Sequence, residues 1–147
     1  MNKKKQNNKS VLKFENYYVD EFIFNKNKNF EKEQGQKINV DLNFEFETER
    51  NQDRFKRIVT CYIFDENYIE ENKPFYIKVK MYGVFSLSNY DENNKKHKEL
   101  IEKNTLAILF PYIRSIISHM TLEMQVGPVQ MPPMNINTFF DKKNKEK

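Results

Sequence analysis

The amino-acid sequence predicts an α+β domain in which a four-stranded antiparallel sheet carries a long helix and a short C-terminal helix on one face. Four segments in the N-terminal two thirds alternate apolar and polar residues, and from about Lys96 the period changes from two to 3.6. The polar connections suit antiparallel neighbours, because parallel strands need crossover helices for which the chain has no room. We therefore expect one domain over residues 11–140, with a basic disordered tail at 1–10 and a second basic tail at 141–147.

The four alternating segments are predicted as strands. The first spans residues 11–24, is interrupted by Asn16 and Asp20, and places on one face Leu12, Phe14, Tyr18, Phe22 and Phe24. After a polar loop over residues 25–37, the second segment alternates without interruption, so one face carries Ile38, Val40, Leu42, Phe44 and Phe46. The third covers residues 54–64. The fourth covers residues 74–87, where the shared parity unites Phe75, Ile77, Val79, Met81 and Phe85.

The helical segment is apolar over more than a single stripe, with Leu106, Leu109, Phe110, Ile113, Ile116, Ile117 and Met120. Such a helix needs cover on more than one side. Pro111 lies inside the pattern and predicts a kink or a restart; alternatively, the helix begins near Thr105 with Pro111 close to its first turn. The Gly and Pro residues over 127–133 exclude regular structure. Asn135 is then well placed to cap a short helix over residues 136–142.

The charge distribution argues against a nucleic-acid-binding face. The chain carries a formal net charge of +4, but residues 1–10 contribute +4 and residues 141–147 contribute +2. Residues 11–140 therefore carry −2, and the basic pI comes from the tails. We expect no specific nucleic-acid partner.

Cysteine and histidine are scarce. Cys61 is the only cysteine, which excludes an intramolecular disulfide, and His97 and His119 are the only histidines, so no metal-binding spacing is present. No signal-peptide core or uninterrupted apolar run of membrane-spanning length is found. We expect a cytoplasmic protein without metal or cofactor and without direct insertion into a membrane.

Two sets of residues could suggest catalysis, and neither supports it well. Glu45 and Glu47 are paired carboxylates on one strand, but they alternate with apolar residues and so belong to a solvated face. Ser115, Ser118 and His119 lie on the apolar helix, where no orienting acid or nucleophile elbow accompanies them. We predict that the protein is not an enzyme.

Aromatic and methionine residues are abundant, with 13 Phe, 8 Tyr and 6 Met. Four of the methionines lie around the Pro-rich loop, at positions 120, 124, 131 and 134. Flexible thioether side chains suit a surface that must accept varied apolar partners. Ordinary core filling beneath a loop explains them equally well, and the residues alone leave both interpretations open.

Two blocks near the C-terminus resemble the SecB family of protein-export chaperones. Leu109, Phe110, Pro111, Tyr112 and Arg114 match the family's "LFPYAR" helix. At the family's spacing, the "PPVNFDALF" block is matched by Pro132, Pro133, Asn135 and Phe140. A further local block, residues 83–87, is similar to the family's "GIFSI" strand end.

The resemblance implies an ATP-independent holdase that binds unfolded preproteins and keeps them competent for Sec-dependent export. It implies a homotetramer, a dimer of dimers, with the interface at Ile113, Ile116, Ile117 and Met120. It also implies an apolar groove for clients, formed by Phe44, Phe46, Val126, Val129, Met131, Met134, Phe139 and Phe140.

For the translocase motor SecA, the resemblance makes Glu21 a candidate contact, whereas Asn25 and Lys78 stand where acidic residues are expected. Two other roles remain open. One is a SecB-like chaperone dedicated to a single partner, such as an antitoxin. The other is a non-chaperone scaffold of the same fold.

Overall fold

The computed structural model describes residues 11–31, 38–126 and 129–131. The strands are β1 (Leu12–Lys26), β2 (Ile38–Asn39), β3 (Leu42–Asn51), β4 (Arg54–Ile63), β5 (Phe75–Leu87) and β6 (Val129–Gln130). The helices are α1 (Lys95–Glu99), a π-helical segment (Leu100–Asn104, hereafter the π-turn) and α2 (Thr105–Glu123). The short helix predicted over residues 136–142 lies outside the described residues.

Four strands form an antiparallel sheet in the order β1-β5-β4-β3, and the helix packs on one face of it. The predicted α+β class, four-stranded sheet and long helix on one face are thereby confirmed. We call the helix-covered face the inner face and the opposite one the outer face. On β5 the inner face carries the predicted set, all fully buried: Phe75, Ile77, Val79, Met81 and Phe85. The period-two pattern therefore identifies the core side of this strand correctly.

The parity predicted for β1 fails in the middle of the strand. Register shifts occur between Phe14 and Asn16 and again between Val19 and Glu21. Each bulge adds a residue and so reverses which face the following residues occupy. Tyr18 therefore lies on the outer face, where its ring is 5.1 Å from that of Tyr82.

The second predicted strand is divided in two. β2 pairs in parallel with β6, whereas β3 pairs antiparallel with β4. The prediction that residues 127–133 have no regular structure is therefore wrong at Val129 and Gln130, which form β6. At the break, the Phe64 N–H donates a hydrogen bond of 3.1 Å to the Asp41 carbonyl. The chain thus leaves one pairing and enters another without losing its alternation, and Leu42, Phe44 and Phe46 remain half-buried on the inner face.

The helical run begins where Asn94 caps it. The Asn94 side-chain oxygen accepts hydrogen bonds from the Lys96 and His97 N–H groups at 2.9 and 3.3 Å. The predicted restart at Pro111 does not occur, since α2 is α-helical on both sides of it. The irregularity lies instead in the π-turn, and the alternative start near Thr105 coincides with the return to α-helical geometry.

One face of α2 is buried against the sheet through Leu106, Leu109, Phe110, Ile113, Ile117 and Thr121. By length and composition alone, the run Lys95–Glu123 is apolar enough to cross a membrane, with a mean hydropathy of 1.2 in its most apolar window. Core helices of soluble proteins meet the same criterion, so it is weak support for a membrane span. The buried face here is explained by packing on the sheet.

Candidate functional site

An apolar strip runs between the edge strand β3 and the helix. The rings of Phe44 and Phe46 lie nearly parallel with centroids 6.0 Å apart, and the Phe44 ring is 5.2 Å from that of Phe110 on α2. Both β3 phenylalanines are half-buried, whereas Phe110 is buried. Alternation along β3 places these rings on the inner face and Glu45 and Glu47 on the outer face. The strip therefore presents partly exposed aromatic surface at the edge of the sheet.

The far end of α2 opens into an apolar pocket of about 270 Å³. Its apolar lining comes from Phe30, Ile38, Pro74 and Val126, and Lys26, Asn27 and Gln125 form its polar part. The Asn27 N–H donates to the Pro74 carbonyl at 2.9 Å, and its side-chain amide donates to the Lys73 carbonyl at 3.0 Å. These bonds tie the end of β1 to the start of β5 at the rim of the pocket.

The structure describes five of the eight predicted groove residues, and they fall into two groups. Phe44 and Phe46 form the strip, and Val126 lines the pocket. Val129 pairs with Ile38, and Met131 packs half-buried against the core. Met134, Phe139 and Phe140 lie outside the described residues and remain predictions.

Sequence reasoning missed the pocket's other walls. Phe30 sits in a segment interpreted as a polar loop, and Ile38 is assigned only to a strand face. The parallel pairing of β2 with β6 brings Ile38 next to the residues that follow α2. A two-residue parallel pair leaves no periodic signal in a sequence, so only the coordinates could reveal it.

A family model described as preprotein translocase subunit SecB matches residues 5–147. The chain belongs to the SecB family. This membership, together with the fold, supports a chaperone role.

Individual relatives differ in how much of their length matches. An uncharacterized protein of Methanocaldococcus jannaschii is 32 % identical over 129 residues, which are 87 % of this chain and 81 % of that protein. The protein-export protein SecB of Rickettsia akari is 34 % identical over 77 residues, so the match spans 52 % of this chain and about half, 49 %, of that relative.

A solved SecB-like chaperone of Mycobacterium tuberculosis shares the fold. It is described in complex with a ChAD peptide from the HigA1 antitoxin. The TM-score is 0.67 at 13 % sequence identity, covering 84 % of this chain and 90 % of that one. A likeness at this identity establishes the common fold.

On the outer face of this SecB-family sheet, acidic side chains are paired with lysines. The Glu21 carboxylate lies 3.4 Å from the Lys78 ammonium, and Asp20 lies 3.8 Å from Lys80. The hydrogen bond that the Lys78 ammonium donates to Glu21 raises the pKa of Lys78. Glu21, the candidate SecA contact, is therefore partly exposed but already has a cationic partner.

The outer face also carries the two glutamates considered as a catalytic pair. Both are exposed, and the Tyr62 hydroxyl donates a 3.2 Å hydrogen bond to Glu45. Burial, followed by the charge of Glu45, raises the pKa of Tyr62. Neither glutamate shows the enclosure that tunes a general acid, so the solvated-face interpretation agrees with the structure.

The predicted oligomer-interface residues divide into two layers. Ile113 and Ile117 have no exposed surface, because they pack within this chain's own core. Ile116 and Met120 are half-buried on the flank of α2. Elsewhere on α2, Tyr112 and Leu122 are exposed, and the exposed fraction of Leu122 is 74 %. A partner subunit can contact the second layer, whereas Ile113 and Ile117 serve the chain's own helix-sheet packing.

Chemically reactive side chains are not assembled into a site in the described part of the chain. Burial raises the pKa of the Cys61 thiol to about 12, so the thiolate needed for a nucleophile or a metal ligand is disfavoured. Ser115, Ser118 and His119 are exposed on α2. Among the described residues, no three His, Cys, Asp or Glu side chains lie close enough to hold a metal ion.

Proposed function

We propose that this SecB-family protein is an ATP-independent holdase that binds unfolded polypeptides. The observation that carries the proposal is the half-buried aromatic strip of Phe44 and Phe46, together with the apolar pocket at the end of α2. Burying one client side chain there would contribute about 1.5–3 kcal/mol. Several such segments on one oligomer would add through effective concentration. Folded proteins have already buried these segments, which accounts for selectivity toward unfolded chains.

The groove is proposed to continue from the described residues Val126, Val129 and Met131 to Met134, Phe139 and Phe140. The pocket next to Val126 supports this, because it opens where the chain leaves α2. The partners are then unfolded polypeptides or preproteins, and neither nucleotide nor cofactor is required. A protein with this role acts in the cytoplasm, where preproteins are found before translocation.

The functional test compares one groove variant with one control. Phe44→Ala removes a ring from the strip, whereas Tyr18→Ala removes an exposed ring from the outer face. With a permanently unfolded polypeptide as client, we expect Phe44→Ala to weaken binding about tenfold, the equivalent of about 1.4 kcal/mol. We expect Tyr18→Ala to have little effect. Equal affinities of the two variants, or capture of the folded counterpart as readily as the unfolded chain, would contradict the proposal.

The oligomer is proposed to be a dimer of dimers that uses the exposed flank of α2. Ile116 and Met120 would provide the contact, and Ile113 and Ile117 would support it from beneath. Native mass spectrometry is expected to give a tetramer that Ile116→Asp dissociates; a monomeric wild-type protein would rule this assembly out.

Delivery to Sec-dependent export is proposed to involve SecA contact at Glu21. Lys78 lies 3.4 Å from Glu21 and competes with any basic partner surface, so Lys78→Ala is expected to strengthen SecA binding and Glu21→Gln to weaken it. Titration of fluorescently labelled SecA measures both. If wild type and both variants fail to bind SecA, Glu21 is not a SecA contact.

The pairing of Asp20 and Glu21 with lysines favours a second candidate, a chaperone dedicated to one partner. Such a protein needs the groove but not an acidic outer face. The antitoxin peptide described with the mycobacterial neighbour is one example of a dedicated client. Pull-down from a lysate of the source organism distinguishes the two, because a dedicated chaperone should retain one dominant protein and a general one should retain many.

A further inference from the structure

One charged side chain lies inside the hydrophobic core. Arg57 on β4 is 5 % exposed and faces inward with Phe55 and Val59 on either side of it along the strand. Burying a cation costs several kcal/mol unless partners compensate for the lost water. An aliphatic residue would fill the same position without this cost. What an arginine adds here is therefore found in the contacts of its guanidinium group.

The guanidinium joins the edge strand to the helix. Its Nη1 donates to the Thr48 hydroxyl at 2.9 Å, and its Nη2 donates to the Glu102 backbone carbonyl at 3.0 Å. Its central carbon lies 5.4 Å from the centroid of the Phe46 ring. The Nε has no hydrogen-bond partner within the described chain. Burial lowers the pKa of Arg57, and the nearby charge of Glu102 partly offsets this.

The carbonyl that Arg57 reaches belongs to the π-turn. There the Thr105 N–H bonds to the Leu100 carbonyl five residues earlier, instead of the usual four. This change interrupts the regular series of helix hydrogen bonds, and within the π-turn the Glu102 carbonyl accepts a bond from a donor outside the helix. Arg57 supplies that donor. The π-turn thus satisfies one of the hydrogen-bonding groups of the buried cation.

The position opposite Arg57 on β5 is Gly83. A β-carbon at position 83 would lie 2.8 Å from Leu109 Cδ2, so the glycine lets α2 come close to the sheet beside the arginine. This close approach brings the π-turn within reach of a side chain that starts on β4. The bridge is consequently a property of the helix-sheet contact as well as of Arg57 itself.

We infer that Arg57 is a positioning residue for client binding, because it ties the π-turn to β3 and holds the Phe46 ring in place at the edge of the groove. The inference rests on the proposed holdase function. One planar group fixes both walls of the strip, since Thr48 and Phe46 belong to β3 and Glu102 belongs to the helical run. Losing the bridge frees the strip to adopt other widths and ring orientations.

The test uses Arg57→Met, which keeps an unbranched side chain of similar length but removes the fork, and Thr48→Val, which removes one acceptor at an exposed position. Lys56→Met is the matched control, since Lys56 precedes Arg57 and lies over Tyr82 on the outer face. If the binding-competent arrangement falls to about one fifth of the population, the Kd for a permanently unfolded client weakens about fivefold. We expect this for Arg57→Met, a smaller weakening for Thr48→Val and no change for Lys56→Met.

Two further readouts separate positioning from stability. Amide chemical shifts of residues 101–105 and the ring resonances of Phe46 should move in Arg57→Met and Thr48→Val but not in Lys56→Met. Arg57→Lys keeps the charge but cannot span both acceptors, so it should not restore client affinity. If Arg57→Met does not fold, Thr48→Val alone decides the question.

The failure modes are distinguishable. If the wild-type protein binds no unfolded client, the proposed function fails. If Phe44→Ala weakens client binding while folded Arg57→Met and Thr48→Val bind like wild type, only the positioning role fails. Full rescue by Arg57→Lys would also overturn it, because buried charge rather than the bridging fork would then be what matters.

Discussion

Replacing Gly83 by alanine tests how closely the helix lies on the sheet. The added β-carbon would lie 2.7 Å from Phe85 Cε2 and 2.8 Å from Leu109 Cδ2, whereas carbon atoms pack best at about 3.5–4.0 Å. Both neighbours are fully buried, so neither can move without displacing other core atoms. Overpacking of this kind costs about 1–3 kcal/mol.

An opposing effect reduces this cost but does not cancel it. Alanine restricts the unfolded chain and so stabilises the folded state by about 0.4–1 kcal/mol. We therefore expect Gly83→Ala to lower the free energy of unfolding by about 1–2 kcal/mol. For a chain of this size the melting temperature should fall by about 2–8 °C. Urea denaturation at several protein concentrations measures the change and separates it from any effect on assembly.

A double-mutant cycle with Leu109→Ala tests the stated cause. Truncating Leu109 alone should cost about 2–5 kcal/mol. In that background the new β-carbon has room, so Gly83→Ala should cost about 1 kcal/mol less than it does in the wild type. Additivity of the two substitutions, or a Gly83→Ala protein at least as stable as wild type, would refute the close approach of α2 to β5.

Three further predictions concern local features of the fold. Asn94→Ala removes the helix cap and should cost about 1 kcal/mol in thermal denaturation, with Asn93→Ala as the neutral control. Tyr17→Ala should destabilise the protein more than Tyr18→Ala, because of these two tyrosines only Tyr17 is on the inner face, where its ring lies 4.3 Å from that of Tyr112 on α2. A larger loss of stability in Tyr18→Ala than in Tyr17→Ala would contradict the bulged register. Burial raises the pKa of the Cys61 thiol from its ordinary value near 9.0 to about 12 in the folded state. The contribution of this thiol to the free energy of unfolding is therefore complete below pH 9, and it falls by up to about 1.4 kcal/mol per pH unit between pH 9 and pH 12. Alkaline urea denaturation should show this slope in the wild type and a shallower one in Cys61→Ala, and native protein should resist thiol-reactive dyes at pH 8; rapid labelling would contradict the burial.

The sequence predicts the β5 face and the helix well, because long uninterrupted periods record which side is buried. It fails where one residue changes the register. Asn16 and Asp20 interrupt the alternation of β1 at its two bulges, but an interruption does not say whether the parity resumes or reverses. Only the pairing with β5 shows that it reverses at Asn16 and again after Val19.

Within the candidate site, the half-buried rings of Phe44 and Phe46 could be predicted, because alternation defines them and the family resemblance gives them a role. Arg57 could not be given its role in the same way. It shares parity with Phe55 and Val59, so its burial is implied by the pattern, but its partner is a backbone carbonyl in a π-turn. No side-chain pattern encodes a π-turn, since the same residues can form a regular helix.

The "LFPYIR" block gains a physical meaning from the contacts of its residues. Leu109 enters the space that Gly83 leaves on β5, Phe110 meets Phe44 on the edge strand, and Tyr112 meets Tyr17 on the opposite edge of the sheet. The block therefore docks the helix on β5 and on both edge strands. Of these contacts, only that between Phe110 and Phe44 borders the proposed groove. The residues that make the family recognisable thus build the sheet-helix platform, and client selectivity must depend mainly on the edge strand and on the segment that follows α2.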